Sequence, residues 1–277
     1  MALSSLTDLL VAPKQVGMWQ KAVTAGTASV YLAHWLSGTV PGPPSAPTPG
    51  VAGAALTQAD PGALLSFVNP ASGLTYLSGA TLSQAFTNDM AVIFLYDRLW
   101  HNSGLSATLT TSQTVNSVAL PSRCPVKSDP TGRTFNTNGH GVEAWVETYT
   151  VMGAGTVAPT ISYTDEAGNA GATATAQGWV TGAIVGRSFP FDLAAGDTGV
   201  RSIQSYQQTA TQTSGTFGLV LRRRLATFVL PLARNTVTVD WPTLMSAVPN
   251  DACLEAIYIS SSSIATNMGG VLTLAQG

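Results

Sequence analysis

Hydrophobic and polar residues alternate most clearly over residues 141–151. There Val142, Ala144 and Val146 fall on one face of an extended chain, and Glu143, Trp145, Glu147 and Tyr149 fall on the other. The first face is aliphatic, whereas the second mixes acids with aromatics. Looser alternation, rich in β-branched residues, marks further strands at 105–115, 200–208, 215–221, 236–241, 254–260 and 271–274. Residues 160–164 and 171–176 flank the turn-rich Asp-Glu-Ala-Gly-Asn at 165–169 and read as a hairpin. Strands at this spacing, joined by polar turns and without an internal repeat, predict a mainly β chain built as an antiparallel β-sandwich, jelly-roll-like in type.

The first hundred residues are patterned differently. Residues 3–10 predict a short helix, capped by Ser4 or Ser5 and stopped at Pro13. Trp19, Tyr31 and Trp35 come next, at irregular spacing. This suits both an arm that docks on a neighbouring molecule and a segment folded back on its own domain, and it makes Trp19 and Trp35 candidate interface residues. Residues 41–50 hold five prolines and two glycines, which forbid helix and favour an extended strap. The expected organisation is an irregular, partly helical N-terminal arm and Pro-rich linker over 1–60, then a sandwich domain over 61–277, with any subdivision near 103–130. Within 61–102 the apolar clusters at 63–68 and 90–96 fit short buried strands or one short helix. Leu82, Ala85 and Phe86 carry the i, i+3, i+4 spacing of a single helical turn.

Composition changes this picture in one respect. Charged residues are 9% of the chain and apolar residues 45%, against about 25% charged in an ordinary soluble domain. A surface so poor in Lys, Glu, Asp and Arg is weakly protected against association, so much of it is expected to be buried against neighbours. Membrane insertion explains the numbers less well. The most apolar stretch, 90–96, is far short of the roughly 20 residues of a spanning helix, and the regular strands of about ten residues that build a membrane barrel are not seen. A net charge of −2 argues against nucleic acid as the main partner. Residues 1–13 carry no secretory pattern, so synthesis in a cytoplasm is expected. Cys124 and Cys253 are too few for a disulfide scaffold and are expected as reduced thiols, although a pair between them stays open.

Catalytic constellations fail on context. His34, His101 and His140 lie in no HExxH motif, and no G-x-S-x-G elbow occurs. Asp97 and His101 share a face only if their stretch is helical, and then read as a local hydrogen bond. His140 reads as a loop histidine. Glu143 and Glu147, four residues apart on a strand, stand about 13 Å apart, beyond the roughly 5–9.5 Å of a glycosidase pair. The G-x-G-x-x-A match at 153–158 is succeeded by Pro159 and a strand, where a phosphate-binding helix would have to begin. The chain is therefore expected to be non-enzymatic, with no catalytic residue, metal or cofactor. Its strongest charge feature is Arg222, Arg223 and Arg224 inside an apolar run, with Arg222 and Arg224 on one side of a strand and Arg223 on the other. Two readings stay open for it: protection of an edge strand, or contact with a carboxylate of a neighbouring subunit.

Several stretches resemble virion structural proteins of tailed bacteriophages. They are Ala-Val-Ile-Phe-Leu-Tyr-Asp-Arg-Leu-Trp-His-Asn-Ser-Gly-Leu at 91–105, Thr-Thr-Ser-Gln-Thr-Val-Asn at 110–116, Ile-Ser-Tyr-Thr-Asp-Glu-Ala-Gly-Asn-Ala-Gly at 161–171, Ala-Gly-Asp-Thr-Gly-Val-Arg-Ser at 195–202 and Gly-Thr-Phe-Gly-Leu-Val-Leu at 215–221. The resemblance covers much of 75–232 and leaves the first 60 residues unmatched. It implies a head or tail component, first of all a capsid decoration (cement) protein on the virion surface. Its implied partners are the major capsid protein and copies of itself, as a trimer at local threefold positions. A tail, fibre or receptor-binding component is the alternative, and after it a glycan hydrolase.

Overall fold

The computed structural model describes residues 5–23, 28–45, 47, 50–85, 90–115, 120–125, 135–176, 183–231, 236–240, 246–261, 263 and 266–277. The chain is mainly β, antiparallel in every register described, and sandwich-like. It divides into two compact units, one of residues 1–44, 57–97 and 225–277, the other of 45–56 and 98–224. The expected division into 1–60 and 61–277 differs from this. Two of the observed boundaries fall inside the strands Ala91–Ser103 and Phe217–Leu230.

In the first unit the strands Thr236–Asp240, Thr75–Gln84, Thr266–Gln276, Lys14–Val23 and Thr39–Val40 form a sheet in that order. Its inner face carries Trp19 and Lys21, then Met268, Leu272 and Leu274, then Ala80 and Leu82, all buried. Gly17 belongs to this face because the Leu65 side chain lies where its Cβ would stand. A second group places Leu254–Ser260 between Tyr31–Ala33 and the start of Ala91–Ser103.

Ser5 caps the predicted helix, here Leu6–Val11, and its hydroxyl accepts from the Asp8 N–H at 3.1 Å. The segment after this helix is not an arm. Lys14–Val23 pairs over ten residues with Thr266–Gln276 and, at Gln20 and Lys21, with Thr39–Val40 on its other edge, so it is an integral strand of the sheet. The helical turn expected around Leu82 is also absent. Leu82 lies in the strand Thr75–Gln84, where pairing on both sides satisfies the backbone, and Phe86 lies outside the described residues. Residues 63–68 form neither strand nor helix; Ala63, Leu64 and Phe67 are buried by a loop that Leu64 ties to the Leu254 carbonyl at 2.8 Å.

In the second unit Val142–Thr148 lies between Phe217–Leu230 and Arg187–Asp192. From Arg187–Asp192 the order continues through Ala170–Ala176, Pro159–Asp165, Val200–Gln208 and Gln113–Thr114. The predicted hairpin is present as Pro159–Asp165 and Ala170–Ala176. Its turn closes because the Asp165 carboxylate accepts from the Asn169 N–H at 2.8 Å while Gly168 takes φ +97°, open to a residue without Cβ.

Candidate functional site

The acid-and-aromatic side of Val142–Thr148 is buried, contrary to the solvent-facing role that its charges suggest. Antiparallel pairing sets Glu143 opposite Arg222, Trp145 opposite Val220 and Glu147 opposite Gly218. Arg222 therefore starts about 13 Å along the strand from Glu147. Its side chain crosses the Trp145 ring, guanidinium to centroid 5.1 Å, and ends on Glu147 Oε2 at 2.7 Å. Arg98 grips the same carboxylate with two bonds, Nη1 to Oε2 at 2.9 Å and Nη2 to Oε1 at 3.0 Å. Gly218 is required where it stands, since a Cβ there would run into the Asn102 carbonyl; the Asn102 side chain in turn accepts from the Leu219 N–H at 2.7 Å.

Burial alone pushes the Glu147 carboxyl upward, but Arg98 and Arg222 outweigh it and hold the pKa below its ordinary value. His101 accepts from Arg98 through Nδ1 at 3.3 Å. Burial first, and then the Arg98 charge, push its pKa down to about 3, so the ring is neutral. An ionised carboxylate sealed among guanidiniums has no route for proton exchange with a substrate. Chemically, the cluster ties the strands Ala91–Ser103, Val142–Thr148 and Phe217–Leu230 together through charge-assisted bonds.

The first unit holds a buried cation of its own. Lys21 donates to the carbonyls of Ser37 at 3.1 Å and Pro41 at 2.9 Å, so it fastens the beginning of the Pro-rich stretch. Burial pushes its pKa down to about 8 against the opposing pull of Glu255. His34 is buried nearby and pushed down to about 3, by burial first and the Lys21 charge second.

The five candidate interface residues separate. Arg222 is buried on Glu147, and Arg223 is buried with its guanidinium 5.5 Å from the Phe135 ring centroid. Trp19 lies on the inner face of its sheet, and Trp35 is buried against Gly62. Only Arg224 of the five is open, its side chain 51% exposed and 3.8 Å from Glu143. Edge protection is not the reason for the arginines, because Phe217–Leu230 has a strand on each side. Arg98 and the pairing role of Glu147 escaped the sequence reading; their one signal was an acid on an apolar strand with three arginines elsewhere to answer it.

Asp97 and His101 lie on the extended strand Ala91–Ser103, not a helix, and Asp97 accepts from the Cys253 N–H at 2.9 Å. His140 sits in a loop with Nδ1 3.0 Å from the Thr198 hydroxyl oxygen. Cys124 and Cys253 are buried free thiols. Among the described residues no group of three His, Cys, Asp or Glu is placed to hold a metal, and no helix is long and apolar enough to cross a membrane.

The open surface of interest is the outer face of the first unit's sheet. Val16 and Met18 point out of it, 66% and 68% exposed, on the stretch of Lys14–Val23 that pairs with Thr266–Gln276. Beside Met18 a groove of about 490 Å³ runs between Gln20 and Ser83 over Gly269.

No protein-family model matches the chain, and no curated protein matches it. Solved structures similar to it include one of the Gx strain of infectious bursal disease virus, at 10% identity over 100% of this chain and 85% of that chain, TM-score 0.22. Another is the VP2 subviral particle of the same virus, at 12% identity over 96% of this chain and 81% of that chain, TM-score 0.20. Backbones related by so low a score do not superpose as one fold, so they support no assignment.

Proposed function

We propose that the chain is a non-enzymatic virion structural protein that binds the outside of an icosahedral capsid and bridges neighbouring capsid subunits. The observation that carries this reading is a sheet strand, Lys14–Val23, that turns Val16 and Met18 to solvent in a chain only 9% charged. A sheet face of small, weakly polar residues around Val16, Met18 and Val271, with Asp240 its charge at the margin, is the kind of surface that proteins keep for contact with other proteins. The resemblance of residues 91–105, 110–116, 161–171, 195–202 and 215–221 to tailed-phage virion proteins supports the setting, with the major capsid protein and copies of the same chain as partners. The absence of an open acid–base pair around Glu147 supports a structural over a catalytic role.

Two measurements on particles test it: copies of the chain per virion, and the temperature at which particles with and without it release their genome. Hundreds of copies and a higher release temperature with the chain present are expected. A few copies per particle would place it in the tail, and no binding to purified shells would overturn the reading.

A further inference from the structure

We propose that the outer face of the sheet in the first unit is where two copies of this chain meet, face to face across a twofold axis. This rests on the structural role proposed above and names one of the surfaces that serve it.

The register defines the face row by row. Val16, Thr273, Gly79 and Asp240 form one row, Met18, Val271, Thr81 and Thr238 the next, and Gln20, Gly269, Ser83 and Thr236 a third. Asp240, at the end of the outermost strand, is the one formal charge among them. The preceding row shows what this face accepts as cover. There Ala275, Tyr76 and Ala247 lie side by side, and the helix Leu6–Val11 packs Leu9 onto Tyr76 and Ala275. Beyond the helix no described residue covers the same face.

A second copy fits this face for two reasons. In a twofold contact the same patch meets itself, so a charged face repels its mate and an uncharged one does not. A partner recognised by charge has Asp240 at one margin and, in the preceding row beside Ala275, Lys14, whose ammonium already donates to the Leu9 and Leu10 carbonyls. The face is also complementary to its own shape, since Met18 projects beside the groove over Gly269. That groove exists because a Cβ at Gly269 would stand 2.6 Å from the Trp19 carbonyl oxygen, which leaves the site to glycine. Across a twofold axis the Met18 of each copy enters the Gly269 groove of the other.

The size suits a reversible contact. Four strands about 4.8 Å apart and the three rows from Val16 to Gln20, about 6.6 Å apart, give roughly 380 Å² per copy, or about 760 Å² for the pair, in the range of weak, transient association.

Sedimentation velocity on the full chain over a range of concentrations tests this. Wild type should dimerise reversibly. Met18→Glu and Thr81→Lys should each weaken the dimer at least tenfold while keeping wild-type circular dichroism and melting temperature. A mixture of the two variants should recover it, because M18E in one copy then meets T81K in the other. Val151→Glu, equally exposed but in the other unit, should leave dimerisation unchanged. The proposal is overturned if wild type stays monomeric through the micromolar range, if both face variants dimerise normally, or if V151E weakens the dimer as much as they do. If M18E abolishes the dimer but the chain is missing from virions, the proposed function fails and this contact stands. If the chain binds shells while M18E dimerises normally, the reverse holds.

Discussion

Arg222 and Glu147 form a buried ion pair at 2.7 Å although neither is the other's cross-strand neighbour. The arginine is paired with Glu143 in register and passes over Trp145 to reach the more distant acid. The choice has a physical reason. Glu147 is buried with Arg98 already bound to it, whereas Glu143 is partly exposed, accepts from the Trp145 indole N–H at 3.0 Å and meets Arg224 loosely at 3.8 Å. The strand places its three consecutive arginines in three different environments.

Those environments predict different costs. Glu147→Gln leaves two guanidiniums in the interior without a carboxylate and should destabilise the chain by about 3–5 kcal/mol, as should Arg222→Ala. Arg224→Ala removes a half-exposed side chain whose contact with Glu143 is long and solvent-screened, and should change stability by less than about 0.5 kcal/mol. Urea denaturation monitored by tryptophan fluorescence measures all three. Equal losses for Arg222 and Arg224 would contradict the difference in burial. Because Arg224 alone of the three is open, it is the one whose substitution can weaken partner binding without unfolding the chain.

Stability should fall as the solution is acidified, well before ordinary carboxylates titrate. His34 and His101 have folded-state pKa values lowered to about 3, against 6.5 when free, chiefly by burial. Between those values the unfolded chain binds protons that the folded chain refuses, so stability drops with decreasing pH by up to about 1.4 kcal/mol per pH unit for each histidine. Glu147 adds to the fall in the same direction. Its folded pKa is depressed by Arg98 and Arg222 in spite of burial, so its stabilisation is present above 4.5 and is lost as pH falls through the folded value. Denaturation midpoints at pH 7.5, 6.0 and 5.0 should decline steadily, and His101→Gln should flatten the decline if the variant folds. A flat profile between 7.5 and 5 would show that both rings take up protons in the folded chain as readily as in the unfolded one, against the lowered values.

How far the sequence disclosed this arrangement depended on whether a feature was local. The strand Val142–Thr148 was legible because one of its faces is purely aliphatic, the helix Leu6–Val11 because Ser5 caps it, and the hairpin around Gly168 because Asp165 and Asn169 mark its turn. Lys14–Val23 was not legible, because Val16 and Met18 face out while Trp19 faces in, and apolar residues on both sides erase the period of two. Nor was the destination of Arg222. Its partner is 75 residues away and the second arginine, Arg98, 49 residues from that partner on another strand, so only the folded register joins them. The same register brings Met18 beside Gly269 from opposite ends of the chain.

The pairing of Lys14–Val23 within its sheet reverses one expectation for truncation. A docking arm over 1–60 would be removable, leaving a folded core with weaker binding. In the structure its removal takes away Trp19, the Lys21 clamp on Ser37 and Pro41, and a strand whose ten-residue pairing leaves Thr266–Gln276 with an open edge. Deleting 1–60 should therefore abolish cooperative unfolding of the first unit and expose its buried face to aggregation. Deleting only 1–12 removes the helix and the Leu9 contact with Tyr76 and Ala275, and should cost about 2–4 kcal/mol while the sheet persists. Hydrogen exchange separates the two outcomes. Amides of Thr75–Gln84 and Thr266–Gln276 should remain protected in the short deletion and exchange freely in the long one. Protection surviving in the long deletion would restore the arm.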